Sequence, residues 1–571
     1  MSAVTRRTST GTAAAYVILL VLVVAAGAAL IPSVAEWLTT GEFAPSSPLP
    51  LLYGQAAWTP QHTTAAVLLG AALAVVLTGA AAAAVAARRG KAKEDRAAVH
   101  MGRGESIAPL LPRRIAKLHK DLGMDPKVYR GMSLGSCVAD GAPLRASYES
   151  SMVVLAGPGR QKSTALVIPN VLDAPGPVFS TSLKPDVREA TSAYRSTVGT
   201  IHVFDPQGRD HAAAADAVWW NPLAGVRTIE DADDLASVLS AAQIDDAGGN
   251  RIWETRGMRL LADYLFAAAH TGEYLPTVFH WLARDDSRLP VDALKDSYPE
   301  LATRIEVAQA VNDRARDGVF MYARGAVEFI ASRQLASWVQ PGDGRREFSP
   351  EDFVRSARDT LYLISQEGAG SAAPLVSALT KAVLDAAERY SETRPSGRLI
   401  PPLSALLDEA GNICRIPDLP DRLTHYRSRG IVVMVVLQNW EQGEIVWPNG
   451  GFAKMWSAST IQVFAGGNAS VSFCRDLSER IGDYEYVDRS TSSGSSGGSS
   501  QLNRRTERIM DVRDLGALSL GRMIVTGAGC RPTLARTTPW FKDKRLKALV
   551  GMQRPPAITE HASAQRGDAD A

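Results

Sequence analysis

The stretch Ser151-Met152-Val153-Val154-Leu155-Ala156-Gly157-Pro158-Gly159-Arg160-Gln161-Lys162-Ser163-Thr164 decides the fold. Its first half is a short apolar run, partly β-branched, that ends at once in Gly-Pro-Gly. That pattern is a buried strand entering a loop. Its second half approximates the phosphate loop G-x-x-x-x-G-K-[ST]. In such a loop backbone N–H groups wrap phosphates, and the helix N-terminus that follows favours negative charge. Gly157, Pro158, Gly159, Arg160, Gln161, Lys162, Ser163 and Thr164 are therefore the candidate nucleotide-binding residues. Lys162 would reach the terminal phosphates and the Ser163 hydroxyl would hold Mg²⁺. Aligned on Lys162, Ala156 and Gln161 stand where glycine is expected; started at Gly157, the loop is one residue short. Gln161 fits only if its φ/ψ is open to a residue with a Cβ. A strand-to-helix turn with an incidental lysine is the plain alternative. The motif's place between an expected strand and an expected helix, Ser163–Leu172, weighs against it.

Further strands are expected on both sides. Pro177–Thr181 and Thr200–Asp205 follow the loop closely. Leu403–Leu407, Ile431–Leu437, Thr460–Ala465 and Arg522–Thr526 come much later. Strands separated by helical stretches imply a parallel sheet. Residues 207–395 are rich in Ala, Leu, Asp and Arg at helical spacing and read as an all-helical insertion. Residues 489–500 (RSTSSGSSGGSS) read by composition as a flexible loop. The segment after about residue 545 reads as a disordered tail. No internal repeat is evident.

Two acids close the strand Leu403–Leu407. Asp408 suits Mg²⁺, facing Ser163, and Glu409 can act as general base on water. An Asp-Glu pair at a strand end is common on surfaces; beside a phosphate loop it becomes a catalytic pair. Gln438 directly follows Ile431–Leu437, where an amide can sense a γ-phosphate or simply cap a turn. Arg427 and Arg429 precede that strand. One of them can serve a neighbouring subunit as an arginine finger, against the bland reading of a solvated pair.

The chain has 571 residues, 46% hydrophobic and 21% charged, which is globular and long enough for several domains. Its net charge of +2 neither supports nor excludes nucleic acid. Cys137, Cys414, Cys474 and Cys530 form no CxxC pair, so zinc and disulfide frameworks are not expected. Two apolar runs, about Ala13 to Val34 and about Thr63 to Ala87, carry no internal charge and match the length of membrane-spanning helices. Arg6 and Arg7 precede the first; Arg88, Arg89, Lys91 and Lys93 follow the second; the connection holds only Glu36 and Glu42 as charges. Both termini are thus expected inside, at the cytoplasmic membrane, with two spans. The expected domains are 1–90 (membrane anchor), 91–147 (juxtamembrane linker), 148–206 and 396–545 (two parts of a nucleotide-binding domain), 207–395 (helical insertion) and 546–571 (tail).

These features resemble the type IV secretion coupling proteins, the TraG/TraD-like family. The order of the elements agrees, and so do several strings: VIPNVL (Val167–Leu172), TSLKPDV (Thr181–Val187), LLDEAGNI (Leu406–Ile413), VVLQ (Val435–Gln438) and FAGGNAS (Phe464–Ser470). The resemblance covers most of residues 1–530. It implies an α/β fold: a RecA-like P-loop NTPase core with an inserted all-α substrate-recognition domain, behind a two-helix transmembrane anchor. It implies a homo-hexameric ring that binds ATP and Mg²⁺. Such a ring recruits a relaxase–DNA complex and pumps single- or double-stranded DNA into a type IV secretion channel. Carried over by position, Lys162 and Ser163 bind nucleotide and metal, Asp408 and Glu409 take the carboxylate roles, Gln438 is the sensor and Arg427 the arginine. Lys184 and Asp186 fall in a polar segment near the site. Because Ala156 and Gln161 depart from the pattern, the alternative is a docking adaptor of the same fold with weak or no ATPase. Protein effectors instead of DNA are the alternative cargo. A chromosome-segregation pump shares the membrane-plus-RecA plan, but the long helical insertion argues against it.

Overall fold

The computed structural model describes residues 29–553, apart from 44, 54–55, 90–92, 242–250, 369, 468–469 and 495–496. The chain divides into two compact units, residues 1–96 with 482–509 and residues 97–481 with 510–571.

The second unit is built on one eleven-stranded sheet. Its strands are β1 (Met132–Cys137), β2 (Pro143–Ala146), β3 (Met152–Leu155), β4 (Val178–Ser182), β5 (Ile201–Phe204), β6 (Thr360–Ile364), β7 (Leu403–Leu407), β8 (Ile431–Leu437), β9 (Ile461–Phe464), β10 (Arg522–Gly527) and β11 (Thr533–Arg536). Their spatial order is β2-β1-β11-β10-β9-β3-β8-β7-β4-β6-β5. From β9 to β5 all neighbours are parallel. From β9 to β2 they are antiparallel. Strands β3, β4, β6, β7, β8 and β9 are buried at every residue. This is why none alternates between apolar and charged residues, and why MVVL and IVVMVVL are apolar throughout. Strand β8 lies between β3 and β7, pairing Leu437 with Leu155 on one side and Val435 with Leu407 on the other. The carboxyl ends of these three strands thus share one edge.

The core strands lie where the sequence places them, but two domain boundaries move. Strand β6, TLYLI, lies inside the stretch expected as insertion, yet pairs in parallel with β4 and β5. Five residues, four of them apolar, are too few to show a period, and both partners are more than 150 residues upstream. TLYLI is as rich in strand-forming residues as the runs read as strands elsewhere, but it stands between stretches with helical spacing, which masked it. The helical body instead leaves and rejoins the sheet through a short parallel pair, Val218–Trp219 with Arg346–Glu347. Its centre is the helix Arg251–His270, which packs on helices Ile229–Ser240 and Asp313–Gly325. There the carboxylate of Asp263, 1% exposed, takes a hydrogen bond of 2.8 Å from Arg304 Nε. The expected linker 91–147 likewise holds β1 and β2, which extend the sheet. The expected tail begins with a helix, Lys544–Val550; residues from 554 onward are outside the described residues.

In the first unit, helix Ile31–Thr40 packs against helix Pro60–Arg89. The latter coincides with the second expected span, while the first lies almost wholly outside the described residues. Among the described residues no helix is long and apolar enough to cross a membrane, so the anchor rests on the sequence. Segment 489–500 corrects an expectation. Its described residues, 489–494 and 497–500, belong to an antiparallel pair, Asp483–Gly494 with Gly497–Arg508, in continuous register from Asp483↔Arg508 to Gly494↔Gly497. Ladder hydrogen bonds come from the backbone, so a Ser/Gly composition does not prevent pairing.

One buried imidazole ties the first helix of the second unit to the sheet. His119, on helix Pro112–Asp121, is fully buried. Its Nδ1 lies 2.7 Å from the Tyr129 carbonyl, and its Nε2 accepts the Tyr148 N–H at 3.1 Å. An accepting Nε2 makes the ring neutral, with the proton on Nδ1. Burial lowers its pKa below 6.5. A histidine held neutral in the folded state binds fewer protons than in the unfolded chain. Its contribution to stability is therefore complete above pH 6.5 and lost as pH falls below it. The melting temperature is expected to decline from pH 6.5 downward, and His119→Gln to be less stable at pH 8 with a shallower decline. Thermal unfolding across pH 5–8 tests this; equal slopes for both proteins would remove His119 as the cause.

Candidate nucleotide site

The loop after β3 is held by backbone on both sides. Ala156 N–H donates to Leu437 O at 2.9 Å, and Gly157 N–H to Gly466 O at 3.0 Å. A Cβ on Gly157 would come within 2.9 Å of the Gly467 backbone, so only glycine fits there. Arg160 reaches across with Nε to Ala465 O (2.7 Å) and Nη2 to Leu518 O (2.5 Å). Gly159 takes φ 72° and Gln161 takes φ 64°. The second value explains the missing glycine: the loop keeps a left-handed turn at this position and sets a glutamine in it. That costs on the order of 1–2 kcal/mol for a residue with a Cβ, which the clamped loop sustains. Lys162 then begins a helical turn. The Ile168 N–H bonds to Ser163 O, a widened i→i+5 step that leads into helix Ile168–Leu172. Pro169 has no N–H to offer its own turn, and a local widening accommodates such a gap.

Four residues from elsewhere in the chain meet this loop. Ser163 Oγ donates to Asp408 Oδ2 at 2.7 Å. Lys162 Nζ bonds directly to Glu409 Oε1 and lies 3.8 Å from Asp408 Oδ1. Gln438 Nε2 donates to Glu409 Oε2 at 3.1 Å. Thr181 Oγ1, from β4, donates to the Asp408 carbonyl at 2.7 Å. Glu409 itself sits at φ 56°, one residue beyond the end of β7, which turns its side chain out of the strand's alternation. Asp408 is 2% exposed. Burial pushes its pKa up to about 6, against the pull of Lys162 and the Ser163 hydroxyl; Glu409 and Asp186 add to the rise.

The donor set fits a magnesium nucleotide. Two carboxylates face one ammonium, leaving a negative surplus beside a hydroxyl, which suits a divalent cation bound by few protein oxygens. The ammonium and the loop's N–H groups suit phosphate. Lys162, Ser163, Asp408, Glu409 and Gln438 are thus brought together as expected. Pro158 and Gly159 are exposed on the loop; Thr164 is half-buried, its hydroxyl on Gln161 O at 3.3 Å. Asp186 begins the helix after β4, and Lys184 is exposed beside it. Arg427 is not at this site. It is exposed near the amino end of β8, donating to Glu149 O at 2.9 Å, about 20 Å of strand from Gln438. Arg429, at the same end, pairs with Glu388 and Glu392. Sequence reasoning missed Thr181, Asn412 and Gln442, which also serve the carboxylates. The last two carried a signal: Asn412 stands three residues after Glu409, and Gln442 four after Gln438.

The fold and this cluster define a P-loop nucleotide-binding protein, with β8 between the loop strand β3 and the carboxylate strand β7. Residues 402–519 match the family model described as the TraM recognition site of TraD and TraG. Among solved structures, the chain resembles the bacterial conjugative coupling protein TrwBdeltaN70. For the unbound monoclinic form the TM-score is 0.51 at 18% identity, over 70% of this chain and 87% of that one. For the trigonal form with sulphate the TM-score is 0.51 at 19% identity, over 70% and 88%. TrwB in complex with the GTP analogue GDPNP gives 0.50 at 16%, over 72% and 91%. At these identities the likeness is one of fold. No curated protein matches the sequence significantly. The family match is thus confined to residues 402–519, and over most of its length the chain shares the fold of a conjugative coupling protein.

The strained position is open to test. Gln161→Gly is expected to raise stability by no more than about 1 kcal/mol, because relief of strain is offset by the flexibility of glycine. Gln161→Val, branched at Cβ, is expected to lose about 1–2 kcal/mol and to bind nucleotide more weakly. Thermal unfolding and titration with fluorescent ADP measure both. A valine variant indistinguishable from the parent would mean that residue 161 does not hold a positive φ.

Proposed function

We propose that this chain is a membrane-anchored, ATP-driven coupling protein. It recruits a relaxase–DNA complex and moves DNA into a conjugative type IV secretion channel. The observation that supports this most is the convergence of Lys162, Ser163, Asp408, Glu409 and Gln438 at one edge of the sheet, on a loop that keeps its turn despite Gln161. The anchor is supported by the two charge-free apolar runs and the basic residues that flank them.

ATP with Mg²⁺ is the substrate that this donor set suits, and TrwB with GDPNP is a nucleotide complex of similar fold. Mg²⁺, when bound, neutralises phosphate charge; Ser163 and Asp408 are the residues that would hold it. Lys162 would leave the carboxylates and face the β- and γ-phosphates. Glu409 would take the proton of the attacking water as the water oxygen bonds to the terminal phosphorus and the bond to ADP breaks. Gln438 holds the other carboxylate oxygen. In a homo-hexameric ring, Arg427 would serve the site of a neighbouring copy, since its own site lies at the far end of β8.

The full chain in detergent is expected to hydrolyse ATP, faster with DNA. Lys162→Ala is expected to lose nucleotide binding. Glu409→Gln is expected to keep it and to lose turnover by about 10²-fold or more. A folded wild type that hydrolyses nothing would leave the docking adaptor as the better account. Arg427→Ala is expected to bind nucleotide normally and to turn over slowly. Mixing it with Glu409→Gln should restore part of the activity, because mixed rings contain sites with an intact base and a neighbour's arginine. No recovery from mixed, assembled rings would count against action in trans.

A further inference from the structure

Around Glu409 three amide side chains close a ring of hydrogen bonds. Glu409 Oε2 accepts from Gln438 Nε2 at 3.1 Å and from Asn412 Nδ2 at 3.4 Å. Asn412 Oδ1 accepts from Gln442 Nε2 at 2.5 Å. Gln442 Oε1 accepts from the Gln438 backbone N–H at 2.9 Å, which returns the ring to its start.

The ring's polarity is fixed from both ends. A backbone N–H can only donate and an ionised carboxylate can only accept. Gln442 must therefore turn its oxygen to Gln438 and its NH₂ to Asn412. Asn412 must turn its oxygen to Gln442 and its NH₂ to Glu409. Neither amide can flip without breaking two bonds. The ring is also gripped from outside. Gln442 N–H donates to Asn439 Oδ1 at 2.7 Å, and Asn412 N–H to Glu409 O at 2.9 Å. A Cβ on Gly411 would come within 2.4 Å of Gln442 Cδ, so glycine there leaves room for the ring to close.

We propose that Asn412 and Gln442 are positioning residues for ATP hydrolysis, acting through Glu409. With Oε2 held by two amides, the carboxylate is locked in one rotamer. Oε1, the oxygen that faces Lys162, is left to take the proton of the attacking water. This rests on the motor function proposed above, and both residues act through their bonds to Glu409 and Gln438.

The test uses the full chain in detergent with two replacements at one position. Gln442→Glu has the same shape and still accepts from Gln438, but offers Asn412 an acceptor in place of a donor. Asn412 must then flip and present its oxygen to Glu409. Gln442→Met keeps the volume and removes both polar atoms without adding charge. ATP turnover, KM, fluorescent-ADP affinity and melting temperature are measured for each. Both variants are expected to lower kcat about tenfold or more, with ADP affinity within about threefold of wild type and a melting temperature close to it. Unchanged kcat in either variant overturns the proposal, as does a fall confined to Gln442→Glu, which would be an effect of charge. A fall in kcat that only tracks lost ADP affinity or lost stability also overturns it, because the ring would then be merely structural. If the folded wild type itself hydrolyses no ATP, the motor function fails first and the positioning role falls with it.

Discussion

Everything at the nucleotide site depends on the parallel pairing of β8 with β3 on one side and β7 on the other. The register sets Leu155 level with Leu437 and Leu407 level with Val435. Ala156, Asp408 and Gln438 then leave the sheet at the same edge, although more than 200 residues separate the first from the others. Seven consecutive residues of β8 are buried, so the strand has no solvent face on which to slip. A shift of one residue would carry Gln438 out of reach of Glu409.

What converges there is costly to hold together. A buried carboxylate, a second carboxylate and an ammonium share a small space, and burial, with the neighbouring carboxylates, moves Asp408 up to about 6 against the pull of Lys162 and Ser163. Two residues with a Cβ, Gln161 and Glu409, sit in the left-handed region. Strain of this kind persists where the surroundings over-determine it. Here they do so through the Arg160 clamp on the loop after β9, the Thr181 bond to the Asp408 carbonyl and the amide ring around Glu409.

The helix Ala373–Glu392, which follows β6, joins this region to the helical insertion. Ser377 Oγ accepts the Arg415 N–H at 2.9 Å, just past the carboxylate turn. One turn further along, Lys381, mostly buried, bonds Asp385 at 2.9 Å and Asp234 of the insertion at 3.0 Å. At the opposite edge of the sheet, Arg195 is 1% exposed and donates to Thr360 Oγ1, Ala174 O and Arg358 O at 2.7–2.9 Å. It satisfies loop carbonyls that would otherwise be buried without a partner.

The sequence by itself determined the strands that build the site and the identity of its chemistry. SMVVLA, LSALL and IVVMVVL are apolar because both faces of a parallel sheet are covered. Lys162-Ser163, Asp408-Glu409 and Gln438 stand at strand ends because side chains leave the sheet there. Local pattern is enough for such features. Tertiary structure alone decided three others. TLYLI became a strand only through partners far upstream. Gln161 was acceptable only because the loop is clamped at a positive φ that no residue type announces. The Asn412–Gln442 ring exists only because the turn after β7 and the helix after β8 end side by side. In each case the deciding contact joins segments distant in the chain, and a pattern read over ten or fifteen residues can at most place the residues, not the contact between them.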